Sequence, residues 1–305
     1  MARIVVTGAT GFIGRHLMPV LAARGHTVVA VVRGPAAGAE NTVVVGDIGR
    51  DTDWGAALAE AEGIVHLAGV AHGKAASPED FFRVNAEGTR GLCEGALASG
   101  ARVLVNLSSI AAREAESGPQ RLAAYARSKL EGESHVGAFS DNESRVGISL
   151  RPPLVYGWNA PANWRQLQRL AASGVPLPFG AVANRRSFCA VENLCGAIAA
   201  SIERGLAGHG AGTYEIADAD ILSLGEVVTH LRRGMAMGPR LLPVPPALLR
   251  LTARLAGRGE LAETLLGDLI ATPHRFMRSF GWSPPFASSD AMERSGRDFR
   301  SGGPA

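Results

Sequence analysis

The sequence is poor in cysteine and lysine, and each shortage constrains the chemistry. Its three cysteines, Cys93, Cys189 and Cys195, have apolar neighbours and no paired spacing. An odd number argues against a complete disulfide framework, and the spacing against a thiolate metal site; a reducing cytoplasm fits best. His66, His72 and His135 also lack ligand spacing, so no metal is expected. The 31 basic residues include only two lysines, Lys74 and Lys129, and form no consecutive block, and the net charge is +3. That charge gives no footprint for nucleic acid. No uninterrupted apolar run reaches the roughly 18 residues of a membrane span, and the chain opens directly into an apolar strand. A soluble, unexported protein without membrane insertion is therefore expected.

What is present suits a large core: 46% of the 305 residues are hydrophobic and 19% charged. Apolar runs of strand length occupy 4–6, 28–32, 42–45, 64–67, 103–107 and 147–150, and helix-length stretches cover 12–24, 80–99 and 123–139. Near-continuous apolar strands alternating with helices predict a doubly wound α/β fold around a parallel sheet. The regularity breaks after Leu150. Residues 1–157 are expected to form a dinucleotide-binding domain, completed by about 187–216 with strands at 187–194 and 212–217. Residues 158–186 and 217–300 are expected to form a smaller substrate-binding lobe. Ser223 and Glu226 have the spacing of a capping box opening a helix, and the polar tail after Phe286 reads as loosely held.

Gly8, Gly11 and Gly14 lie between the first strand and first helix, with Phe12 and Ile13 in the helical turn they open. Backbone there can approach a pyrophosphate while helix amides face the anion. In a chain with 38 glycines, a merely structural turn is the competing reading. Arg33 follows the second strand and the next acid is Glu40, which favours NADP over NAD; a solvated arginine closing a strand is the alternative. Asp47 and Ile48, and Leu67, Ala68 and Gly69, lie at the expected carboxyl ends of the third and fourth strands, where ligands collect.

Tyr125 and Lys129 are four apart in a helical stretch and share a face. The ammonium is expected to stabilise a phenolate and lower the tyrosine pKa. Ser108 and Ser109 end the strand at 103–107, where a hydroxyl can hydrogen-bond the same substrate oxygen or simply cap a turn.

These motifs, together with Asn85, His66-Leu67-Ala68, Arg151 to Gly157 including Pro152, and Arg186 to Leu194, resemble the extended short-chain dehydrogenase/reductases of the nucleotide-sugar epimerase/dehydratase branch. The resemblance covers nearly the whole chain. It implies that Ser109 is the catalytic Ser/Thr, Tyr125 the acid/base and Lys129 the residue on the nicotinamide ribose. It adds Asn85 and Pro152 to the cofactor contacts, places Asn163 and Arg186 at the diphosphate of a UDP-sugar with Ser108 beside Ser109, and implies a homodimer packed through the helix of Tyr125. Ile110 and Ala111 stand where the family's 4,6-dehydratases carry an Asp-Glu pair, which argues against dehydration.

The stretches 174–187, 242–249 and 280–285 are similar to bacterial UDP-N-acetylquinovosamine-forming 4-ketoreductases of surface-polysaccharide biosynthesis. Reduction of a UDP-4-keto-6-deoxy-N-acetylhexosamine at C4 is the leading expectation. The alternatives are a UDP-sugar 4-epimerase and, in another class, a non-catalytic NAD(P)-sensing protein. Arg250, Arg254 and Arg258 recur among leucines; a solvated helical face is the favoured reading and a membrane-surface helix the other.

Overall fold

The computed structural model describes residues 1–34, 41–71, 77–116, 123–140 and 144–303; Glu40, His72 and Lys74 lie outside them. The chain begins with β1 (Arg3–Thr7), α1 (Phe12–Ala23), β2 (Thr27–Val32), β3 (Thr42–Val44), α2 (Gly55–Leu58) and β4 (Gly63–His66). There follow α3 (Pro78–Phe81), a π-helical turn (Phe82–Glu87), α4 (Gly88–Ser99), β5 (Val103–Leu107), α5 (Ala111–Glu116), α6 (Ala123–Phe139) and β6 (Val146–Arg151). The remainder comprises β7 (Leu154–Tyr156), α7 (Ala162–Ala172), β8 (Arg186–Ala190), α8 (Val191–Leu206), β9 (Gly212–Glu215), β10 (Ile221–Leu222) and α9 (Leu224–Gly234). It ends with α10 (Pro246–Leu255), α11 (Gly259–Leu266), α12 (His274–Phe280) and α13 (Ser288–Ser301).

Two compact units emerge. The first joins Met1–Pro152, Leu194–Ile216 and Thr272–Ser283. Its seven parallel strands run β3-β2-β1-β4-β5-β6-β9, the doubly wound arrangement expected from the alternation of strand and helix. Ile4, Val5, Val6, Ile64 and Val65 are fully buried, because helices cover both faces of such a sheet. Val5, Ile64 and Leu104 pack with Trp54, Leu92 and Phe139 in one core cluster. The strand order reverses beside β1, which puts the carboxyl ends of β1 and β4 at the switch point where ligands bind in these folds.

The second unit is Pro153–Asn193, Ala217–Ala271 and Pro284–Ala305, with a sheet ordered β10-β8-β7. The boundary thus falls at 152 rather than 157, since β7 pairs with β8 instead of joining the large sheet. Thr272–Ser283 belongs to the first unit. The strand expected at 187–194 ends at Ala190, where α8 takes over.

The capping box forms as expected, Ser223 accepting from the Glu226 amide. The tail after Phe286 departs from expectation: α13 packs on α9, with Ala291, Met292 and Ser295 buried. Its inner face sets one large apolar side chain, Met292, among small and polar residues, which reads as a polar stretch in the sequence. A Cβ on Gly296 would lie 2.2 Å from the Leu231 carbonyl.

The helix expected at 80–99 contains the π turn around Asn85. The Thr89 hydroxyl donates to the Asn85 carbonyl at 2.7 Å, while the Asn85 amide group pairs with both the Val70 N–H (2.8 Å) and the Val70 carbonyl (3.0 Å). Side chains inserted into the ladder account for such a bulge.

Candidate active site

The glycine turn is dictated by close approach. Gly8 has φ +70°, in the left-handed region, and a Cβ there would lie 2.7 Å from the Ala68 nitrogen. A Cβ on Gly14 would lie 2.4 Å from the Gly8 carbonyl oxygen, and the Gly11 N–H donates to that same oxygen at 3.0 Å. Gly11 is the N-cap of α1 and offers no side chain, so the amides of the turn holding Phe12 and Ile13 keep donors for an anion. The cradle fits a dinucleotide pyrophosphate. Gly14→Ala is expected to weaken dinucleotide binding and lower the melting temperature, with an overpacking cost of about 1–3 kcal/mol. Titration calorimetry and thermal unfolding read the two effects.

Arg33 directly follows β2 and faces Asp47 at 3.8 Å, their side chains 83% and 81% exposed. A pair so open to water contributes little to stability, which leaves the guanidinium available to a ligand. Ile48 is buried beside them in sequence. Leu67 continues from β4, its N–H donating to the Thr7 carbonyl at 3.2 Å.

The expected reacting groups converge. Tyr125 hydrogen-bonds the Ser109 side chain, and its ring meets Phe81 edge to face at 5.6 Å. Ser109 also accepts from the Ala111 N–H at 3.2 Å, so the capping reading and the site reading of this serine both hold. The Ile110 N–H donates to the Pro152 carbonyl at 3.0 Å, fixing that turn against the end of β6. Lys129 is buried, and its Nζ donates to the Leu107 carbonyl at 2.9 Å. A Cβ on Gly69 would fall 2.9 Å from Asn85 Oδ1 and 3.0 Å from Lys129 Nζ, which is why the chain passes there as glycine.

One expectation is corrected here. The Tyr125 pKa lies above its ordinary value, because burial outweighs the lowering by Ser109. Burial in turn lowers Lys129 to about 8, with Glu133 opposing the shift. Without ligand, the pair is a protonated phenol and a destabilised ammonium.

His66, which lacks ligand spacing in the sequence, is buried and built into this region. Its Nδ1 lies 2.7 Å from the Thr7 hydroxyl, which accepts from the Ala68 N–H at 3.2 Å. The other ring nitrogen, Nε2, is buried with no hydrogen-bond partner among the described residues. Burial first, then Lys129, lowers His66 to about 3. The unfolded imidazole takes up its proton near pH 6.5, so stability falls as pH drops from about 6.5 towards 3. His66→Asn is expected to flatten that part of the acid-unfolding profile, followed by circular dichroism. An unchanged profile would assign the acid lability to other groups.

Ser108, expected at the substrate, instead donates to the buried carboxylate of Glu133. Glu133 also takes two bonds from Arg151, at 2.8 and 2.5 Å. Glu133 stands one turn beyond Lys129 on the same helix face, a spacing that could have flagged it; Arg151, on another element, could not be found that way. The pair lines a cavity of about 500 Å³ with Leu130, Tyr214, Glu215 and Arg275.

In the second unit, Asn163 is exposed in the first turn of α7. Arg186 donates to the Thr264 and Gly267 carbonyls at 2.6 and 2.8 Å. All three cysteines are buried thiols outside any disulfide, and burial pushes the Cys93 thiol up to about 12. Among the described residues, ligand-type atoms of Glu87, Glu131 and His135 lie within 4.8 Å of one another, a grouping that spacing did not reveal. Among the described residues no helix is long and apolar enough to cross a membrane.

Residues 4–217 match the NAD dependent epimerase/dehydratase family. The chain is 29% identical over 313 residues to a UDP-glucose 4-epimerase of Vibrio cholerae, covering 97% of this chain and 95% of the relative. It is 34% identical over 273 residues to a ceramide reductase of Caulobacter vibrioides, covering 86% and 80%. The crystal structure of UDP-N-acetylglucosamine 4-epimerase from Bacillus cereus superposes with a TM-score of 0.78 at 19% identity, over 98% of this chain and 100% of that one; this likeness is one of fold.

Proposed function

Since the chain belongs to the NAD-dependent epimerase/dehydratase family and is an NAD(P)-dependent enzyme, we propose that it reduces the C4 ketone of a UDP-4-keto-6-deoxy-N-acetylhexosamine, with NADPH favoured over NADH. The observation that carries this reading is a protonated Tyr125 phenol bonded to Ser109, followed by buried Ile110 and Ala111, which offer no acid or base for an elimination.

When bound, the dinucleotide supplies the hydride. Gly8, Gly11, Gly14 and the first amides of α1 would hold its pyrophosphate, and Lys129, beside Asn85 and Gly69, would hold the nicotinamide ribose. Ser109 orients the ketone oxygen, and Tyr125 delivers its phenolic proton to that oxygen as C4 is reduced. Burial keeps that proton on Tyr125 near neutral pH, the form that reduction requires. The open Arg33 supports NADPH, since its guanidinium suits a phosphate.

A UDP-sugar 4-epimerase is the second reading, favoured by the similarity to the Vibrio cholerae enzyme along almost the whole chain. It would use the same groups, with no net cofactor consumed. Nicotinamide absorbance should be followed with UDP-sugars and their 4-keto-6-deoxy forms, with NADH and NADPH in turn. The reductase oxidises cofactor in step with product. Interconversion of C4 epimers without cofactor oxidation would replace it by the epimerase.

A further inference from the structure

Helix α10 presents apolar side chains outward. At 100° per residue, Leu248, Leu251 and Leu255 fall within an arc of about 60°, and they are 49%, 54% and 81% exposed. Leu249 and Ala253, on the opposite side, pack against the cluster of Val182, Leu224, Ala262 and Leu266. The helix is thus held by one face and carries a leucine stripe on the other, with no residue of it buried. Just before it, Leu242 is 49% exposed. Single exposed leucines are ordinary on a protein surface, but a contiguous stripe marks a contact face.

The charge around the stripe indicates what it meets. Residues 240–259 contain four arginines, Arg240, Arg250, Arg254 and Arg258, and no acidic residue. Glu263, on α11, lies 3.4 Å from Arg250 and 3.0 Å from Arg254. Arg254 remains 66% exposed on its side chain, and Arg240 and Arg258 are exposed as well. Leucines outward with arginines flanking them are the pattern of a helix lying in a lipid interface, where the guanidinium groups reach anionic headgroups while their stems cover apolar surface.

We propose that α10 is a peripheral docking surface for an anionic lipid bilayer. This stands independently of the reaction proposed above. The apolar area is small, so the association is weak, reversible and salt-sensitive. The favoured reading of the sequence, a solvated helical face, changes because the structure turns the leucines as well as the arginines to the outside.

The test is co-sedimentation of the full chain with phosphatidylcholine vesicles containing or lacking phosphatidylglycerol. Binding is expected on the anionic vesicles at low salt, falling about tenfold on neutral vesicles or at high salt. The triple variant Leu248→Ser, Leu251→Ser, Leu255→Ser should lose binding about tenfold while keeping its dinucleotide affinity and a cooperative unfolding transition, since these side chains lie outside the core cluster that holds the helix. Arg254→Gln with Arg258→Gln should weaken binding to anionic vesicles only. The proposal falls if the parent ignores anionic vesicles, or if either variant binds them like the parent. It also falls if sedimentation velocity shows the parent self-associating through this face, with the leucine variant smaller and neither protein binding vesicles.

Discussion

Tyr125→Phe is expected to cut turnover by about 10²–10⁴-fold, the usual contribution of a positioned general acid, while dinucleotide affinity and melting temperature stay as in the parent. The reason is local. The phenyl ring keeps its edge-to-face contact with Phe81, and the substitution removes only the hydroxyl that bonds Ser109. Nothing in the cradle of Gly8, Gly11 and Gly14 depends on that atom. Steady-state rates, calorimetric dinucleotide binding and thermal unfolding should be measured on the same preparation. Retained turnover would remove Tyr125 from the reaction. Loss of turnover together with dinucleotide binding would make the tyrosine structural.

The second large effect is expected away from the substrate. Glu133→Ala leaves the Arg151 guanidinium, whose side chain is only 9% exposed, without its carboxylate partner, and deprives Ser108 of its acceptor. Breaking a buried pair by removing one partner costs about 3–5 kcal/mol, which thermal or denaturant unfolding will show. The double variant Glu133→Met, Arg151→Met should recover much of the loss, because it leaves no unpaired charge. A drop below 1 kcal/mol, on the order of a surface pair, would mean that water entering the adjoining cavity solvates Arg151.

Glu133 also raises the Lys129 pKa against the burial that brings it down to about 8. Removing that carboxylate lets the ammonium lose its proton at lower pH. The alkaline weakening of dinucleotide binding, expected above about pH 8 in the parent, should therefore move to lower pH in Glu133→Gln. A merely structural role for Glu133 would lower stability without moving that profile.

The features legible in the sequence are those with a local cause. A parallel sheet needs strands apolar on both faces, so β1, β4 and β5 announce themselves. A tight turn needs glycine where a Cβ would strike the backbone, so Gly8 and Gly14 stand out. A helix face repeats every three to four residues, so Tyr125 and Lys129 fall together without any knowledge of the fold. These determined the doubly wound architecture, the tight glycine turn and the shared helix face of Tyr125 and Lys129.

Tertiary structure alone decided the rest, because it depends on groups distant in sequence. The pairing of β7 with β8 moved the unit boundary to 152, and Met292 among small and polar residues seated α13. Arg151 from β6 and Ser108 after β5 both bond Glu133, a cluster drawn from three elements. Burial raised the Tyr125 pKa where spacing to a lysine suggested the opposite, since spacing reports which charges lie near and not how much water is gone. The orientation of α10 likewise turned Leu248, Leu251 and Leu255 outward, because Leu249 and Ala253 hold the opposite face against the core cluster.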